Sequence, residues 1–414
     1  MSLRTRFWWL AALRWLPTGM IIPVVALLPV ERGLTIAELG VVWATQGVVV
    51  LLLELPTGGL ADAVGRKPVL VVSVVFAIAS YVTAALAHDL AAFVGASALA
   101  GVFRALDSGP LNAWFVDAVH DDPETEDRPR TVARGLSGYA SIAGVSIATG
   151  AVTAGGLVAW APLGRSDALA VPYWIAAALA AVQLVAVVVL MDESRPADAP
   201  RVGAAVRGTP RTVAEGARLL VGSRVLAALV AVELFWGFGM IAFESLMPLR
   251  LSEMLADSDE AATLMGPVTA AAWAVSALGA AMVPWVVRRW SLVAVSVALR
   301  LLQGATVVGM GLALGPVGLV AGLLATYALH SASGAIYETL LHEQVDNQHR
   351  ATVLSLASMV MHPGAAIGGV VLGATATAYS TGSAIVVGGI VLALAAPLFL
   401  VRDGVASADV HPSR

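Results

Sequence analysis

Seven charged side chains stand inside long apolar stretches of this sequence: Arg14, Glu54, Arg104, Asp107, Glu233, Glu244 and Arg300. A charge in such a setting is expensive unless it meets a partner or a cavity, and the chemistry open to it is ion pairing or the uptake and release of a proton. Arg104 and Asp107 are three residues apart, so on a helix they share a face and could neutralise one another. A proton site at Asp107 therefore requires the arginine to be drawn away in one conformation. Glu54, with Arg14 and Arg104 as candidate partners, reads as half of a buried ion pair. Glu233 has no neighbour of opposite charge along the chain, only Arg300 as a cation that could reach it, and Glu244 lies near the end of its stretch. Asp107, Glu233 and Glu244 are the candidate proton carriers, in that order.

Other chemistries find less support. Ser333 follows His330 by three residues, a spacing that is no hydrolase signature, and His342, Glu343 and His349 suit a solvated loop better than a metal site. With no cysteine there is no disulfide framework, thiolate metal site or cysteine nucleophile. A net charge of −4 and the lack of a basic stripe give nucleic acid nothing to bind. The expectation is a protein that is not an enzyme and holds no metal or cofactor.

The elements that carry these charges are membrane spans. Apolar residues make up 58% of the 414, charged residues 13%, and mean hydropathy is +0.84, values foreign to a soluble domain of this length. Twelve apolar stretches lie at about 7–29, 36–60, 68–87, 90–114, 132–158, 171–191, 225–249, 263–287, 291–314, 316–339, 351–377 and 382–401, most of them near bilayer-crossing length. Residues 192–224 are too polar to span. Within them Pro210 and Thr212 to Glu215 fit the start of a capped surface helix, and a flexible tether fits equally well. The expected organisation is a six-helix bundle over 1–191, a cytoplasmic linker over 192–224, a second six-helix bundle over 225–401 and a cytoplasmic tail over 402–414.

Eighteen of the 24 basic residues fall on one side of this layout, three (Arg32, Arg165 and Arg250) on the other, and three within spans. The positive-inside rule puts the basic side, with both termini, in the cytoplasm. The apolar run behind the short basic N-terminus is too long for a signal-peptide core and reads as a retained first span. Trp8, Trp9, Trp114, Trp160, Trp174, Trp285 and Trp290 fall near span ends, where interfacial aromatics belong.

Between the second and third spans lies Gly58-Gly59-Leu60-Ala61-Asp62-Ala63-Val64-Gly65-Arg66-Lys67, a tight charged loop with Asp62 and Arg66 four apart. It resembles the major facilitator superfamily motif G-x-L-A-D-x-x-G-R-K. Glu54 to Gly58 resembles a branch of that family carrying E-x-P-T-G at this place, and Ala113 to Asp117 ends the fourth span in the manner of the same branch. Arg104 to Gly109 resembles the family's fourth-helix motif, whose arginine is associated with proton transfer, although Asp107 stands where a glutamine is usual. Ser108-Gly109 and Ser333-Gly334 echo one another across the two halves.

The resemblance implies an all-α membrane protein of twelve transmembrane helices in two pseudo-symmetric six-helix bundles. It implies a monomeric secondary transporter of the cell inner (plasma) membrane that rocks about a midplane site, with a small molecule, protons and the lipid bilayer as its partners. It makes Gly58, Asp62, Gly65, Arg66, Lys67 and Asp117 a conformational lock on the cytoplasmic face. The glycines of Gly144 to Gly156 lack the proline of the exporters' fifth-span motif, so an exporter expectation stands without that signature. Trp15, Trp43, Trp236, Phe238 and Trp273 sit away from span ends and are the candidates to line a cavity for a hydrophobic or amphiphilic compound. The acids of the second half lean towards neutral or cationic cargo. An uncoupled facilitator or a proton-coupled importer of a small metabolite is the alternative, and a transport-inactive sensor a remote one.

Overall fold

A computed structural model describes residues 1–123, 125–162, 164–193, 218–345 and 350–402, without the side chains of 55–59, 62, 165–166 and 350–352. The expected linker helix at Pro210 and Thr212 to Glu215, the tail from 403, and the side chain of Asp62 lie outside the described residues. So does any detail at Gly58 beyond its place in a helix.

The described residues are helical, with no strand. In chain order the long helices are α1 (Leu3–Ile21), α2 (Ile36–Val64), α3 (Arg66–Leu86), α4 (Leu90–Asp121), α5 (Arg128–Trp160), α6 (Val171–Leu190), α7 (Arg224–Leu255), α8 (Ser258–Val286), α9 (Leu292–Gly311), α10 (Pro316–Glu343), α11 (Arg350–Ala378) and α12 (Thr381–Leu400). Eleven of them are long and apolar enough to cross a bilayer. The twelfth, α1, carries Arg4, Arg6 and Arg14 in nineteen residues.

Local sequence sets the ends. Thr35 and Glu38 close a reciprocal capping box on α2, with Thr35 N–H donating to Glu38 Oε2 at 2.8 Å. The first span is shorter than its apolar run, because Pro23 offers no N–H and α1 stops at Ile21 before the short helix Leu27–Glu31. Residues 108–109 divide α4: Gly109 is left-handed at φ +98°, and Pro110 starts the next segment. The echoing Ser333-Gly334 lies in unbroken helix. Arg250, expected in an outer loop, sits inside α7, where it bonds Glu253 at 2.9 Å.

The two halves repeat their packing. Contacts α1–α5, α2–α4, α3–α4, α3–α6 and α1–α6 recur as α7–α11, α8–α10, α9–α10, α9–α12 and α7–α12. The halves meet where α2 runs along α11 and α5 along α8. Glycines permit both seams: a Cβ on Gly40 would collide with the Gly369 carbonyl, and one on Gly266 would lie 2.8 Å from the Ala151 carbonyl.

One end of the molecule carries Arg66, Lys67 and Arg128 and is called here the basic face. Towards the opposite face, one apolar core runs through both halves, joining Val24, Leu27 and Phe93 to Phe243, Leu249 and Ile385. Towards the basic face the core divides into an N-half part around Phe7, Phe115 and Met191 and a C-half part around Leu226, Leu341 and Phe399. The halves share one apolar core at one end and keep separate cores at the other.

Candidate functional site

In the N-terminal half, Arg14 is 5% exposed and bonds Asp107 through Nε, while Nη1 donates to Thr18 Oγ1 at 2.8 Å. Its guanidinium lies 4.7 Å from the Trp15 ring and 4.5 Å from that of Phe103. Trp15 Nε1–H in turn donates to Tyr139 Oη at 2.9 Å. Asp107 is the last residue before the break in α4, which turns its carboxylate to α1. Two expectations change with this geometry: Arg14 is matched to Asp107 instead of Glu54, and Asp107 is held by Arg14 instead of by Arg104. Arg104 is exposed and has no ion pair among the described residues, although Arg14, Asp107, Glu244 and Glu54 all lie within its electrostatic reach. Beside it a cavity of about 190 Å³ runs between α1, α2, α3 and α4, with Trp43 and Gln46 in its wall.

Glu54 crosses between halves. Ser358 Oγ–H donates to its Oε1 at 2.9 Å, and His362 Nε2 lies 3.4 Å from Oε2, both from α11. Its partners lie across the seam because α2 packs along α11 at this depth. Sequence reasoning missed His362, although a histidine inside an apolar span was a signal open to it.

The C-terminal half is more loosely bonded. Glu233, Trp236, Arg300, His330, Ser331 and Tyr337 line a polar cavity of about 220 Å³. Arg300, 4% exposed, donates to Gln303 Oε1 at a long 3.3 Å and lies 5.2 Å from the Trp236 ring. Arg300 Nε, Gln303 Nε2 and Trp273 Nε1 are buried without a hydrogen-bond partner among the described residues. Four aromatic rings surround this region: His330 lies 5.2 Å from Trp236, 5.5 Å from Tyr327 and 6.4 Å from Trp273. Glu244 occupies a single π turn of α7, Ile241–Ser245, a distortion common at functional sites, and accepts from Tyr327 Oη–H at 3.4 Å. Of the aromatic candidates, Trp43 and Trp236 line cavities, Trp15 clamps Arg14, Trp273 stands edge-on to Tyr327, and the backbone of Phe238 packs against Gly368 at the α7–α11 contact.

At the basic face, Gly65 takes φ +100° between α2 and α3. Arg66 Nη2 reaches Asp117 Oδ2 at 3.2 Å, as two of the candidate lock residues. Glu193, which no sequence signal singled out, accepts the backbone N–H groups of Arg66 at 2.6 Å and Lys67 at 2.8 Å. A carboxylate there complements the positive end of α3. Lys67 Nζ returns the contact, donating to the carbonyls of Val188 and Met191, both at 2.8 Å, at the negative end of α6. On the opposite face Arg32 closes α3 in the same way, with Nη1 at 2.8 Å from the Ala85 carbonyl, and burial lowers its pKa although Asp167 opposes the shift.

Two six-helix halves with charges held at mid-depth, swapped contacts between them and a core parted at one end define a membrane carrier fold. The Major Facilitator Superfamily model matches residues 7–339, and the chain belongs to that family. Solved structures of similar fold include the nucleoside transporter NupG, at 13% identity and TM-score 0.75 over 97% of this chain and 100% of that one. A point mutant of the same transporter matches at 14% identity and TM-score 0.74 over 96% and 99%. A bacterial homologue of the human lysosomal transporter Spinster, inward-facing and occupied, matches at 14% identity and TM-score 0.71 over 96% of this chain and 95% of that one. No curated protein sequence matches.

Proposed function

We propose that this chain is a secondary active transporter that exports a small amphiphilic molecule by alternating access, driven by protons. The observation that supports the reading is the core that is continuous at one face and divided at the other, together with a cavity in each half that holds a mid-depth charge, Arg104 in one and Glu233 in the other. Rocking on the glycine-lined α2–α11 and α5–α8 seams would open one face as it closes the other. The basic face is the cytoplasmic one in this reading, the carrier works as a monomer in the inner membrane, and Arg66 with Asp117, a contact within the N-half, braces the loop against which the other half would close that face.

The geometry supports a different order of proton carriers from the one the sequence suggests. Asp107 is committed to Arg14, whereas Glu233 lines a polar cavity with room for water beside it. Glu233 therefore comes first. Purified protein in proteoliposomes tests this: Glu233→Gln should lose substrate movement driven by a proton gradient and keep counterflow exchange. Proton-driven transport retained in both Glu233→Gln and Asp107→Asn would leave an uncoupled facilitator.

A further inference from the structure

Sorting the mid-membrane charges by exposure and ion pairing singles out two. Arg14 is bonded to Asp107, Glu54 to Ser358 and His362, and Arg300 sits with Gln303 in the cavity it shares with Glu233. Arg104 and Glu244 remain, both exposed and neither in an ion pair among the described residues. They carry opposite charges and come from opposite halves. Each lies within the other's electrostatic reach, yet they do not touch.

Their surroundings differ in chemistry. Glu244 is bonded to Tyr327, whose ring stands 6.0 Å edge-on to both Phe243 and Trp273 and 5.5 Å from His330. A carboxylate among aromatic faces is the setting that holds an organic ammonium, above all a quaternary one, whose charge meets ring faces without demanding hydrogen bonds. Arg104 offers a guanidinium, suited to a carboxylate or phosphate, at the mid-depth end of the N-half cavity. That cavity continues towards the opposite face between apolar residues such as Ile22, Ala84 and Phe93.

We infer that the transported molecule is an amphiphilic zwitterion, with its anionic group on Arg104, its ammonium at Glu244 and the Tyr327 ring cluster, and its apolar part in the N-half cavity. Such a molecule touches both halves at once, so its binding energy depends on their separation, which is what a rocking carrier requires of its cargo. The inference rests on the carrier reading and gives it a substrate class.

The test uses the full chain in nanodiscs of zwitterionic lipid and three probes of equal chain length: an octyl betaine, octanoate and octyltrimethylammonium. Binding is followed by ligand-induced melting shifts. The betaine should bind at least about tenfold tighter than either singly charged probe, a difference of about 1.4 kcal/mol. Arg104→Gln should reduce the betaine to the affinity of octyltrimethylammonium and leave that probe unchanged. Glu244→Gln should reduce it to the affinity of octanoate and leave octanoate unchanged. Arg104→Lys, which keeps the charge, should fall between and guards against a folding defect. A betaine no tighter than the single charges overturns the inference. So does betaine binding indifferent to both variants, the result expected if Arg104 and Glu244 serve only to close on each other. Flux separates the two readings. Betaine binding with this charge dependence but no movement across proteoliposomes sinks the carrier and keeps the site. Movement of some other probe without this charge dependence keeps the carrier and sinks the zwitterion.

Discussion

The N- and C-terminal halves repeat their helix packing and differ in how they hold charge. In the first, Arg14 is sandwiched between two rings and bonded to Asp107 and Thr18. In the second, the equally buried Arg300 has one long bond to an amide, an unpartnered Nε and a polar cavity at its side. The basic-face loops differ in the same sense. The loop after α2 is tied by Asp117 and Glu193, whereas the loop after α8 is exposed, with Arg289 4.3 Å from the Trp285 ring. The difference teaches that a shared fold does not oblige its halves to do the same work. One half builds its buried cation into a bonded scaffold, and the other leaves polar atoms around its buried cation unpartnered among the described residues.

The largest effect should come from breaking the scaffold. Arg14→Leu strands the Asp107 carboxylate and should cost about 3–5 kcal/mol, read as a fall in melting temperature, with Arg14→Leu/Asp107→Leu recovering most of it. Arg300→Leu should cost less than half as much, and equal losses would erase the contrast. Next, Arg66→Ala should slow turnover about tenfold, about 1.4 kcal/mol in barrier, with folded protein retained. Arg288→Ala in the corresponding C-half loop should leave turnover nearly unchanged. Smaller again, Glu193→Gln removes the charge at the start of α3 and should lower stability by about 0.3–1 kcal/mol in thermal melts.

The smallest effect lies where the halves repel. Glu31 of the N-half has its pKa raised by burial and by Asp259 and Asp257 of the C-half, with Arg32 opposing. A carboxyl whose folded pKa is raised favours folding most when protonated, below its unfolded value of about 4.3, and that advantage is lost as pH rises through the higher folded value. Glu31→Gln should therefore raise the melting temperature at pH 7 and leave it unchanged at pH 4. An equal gain at both would assign the effect to packing.

Much of this was legible in the sequence because lipid leaves few choices. A span must be helical and apolar, so span number, family and the residues able to carry charge could be read from hydropathy and one loop motif. Pairing was not legible. Whether Asp107 faces Arg104 or Arg14 depends on where Gly109 breaks α4, and whether Glu54 stays within its half depends on how closely glycines let α11 approach α2. Tryptophans show the same limit. Trp160 and Trp290 are 74% and 65% exposed, as interfacial residues should be, but Trp114 is 3% exposed and donates to the Asp192 carbonyl at 2.9 Å. Glu193 gave no sign, since its role exists only once the end of α6 lies beside the start of α3.

Lys67, which ties α3 to the end of α6, is also the sole lysine of the chain. Apart from the N-terminal amine, an acylating reagent has one side-chain target, and its ε-amine is occupied by two carbonyls while the helices are docked. Modification at that single atom would thus act as a clock for undocking. A built-in chemical probe of this kind reports on the basic face without any engineered label.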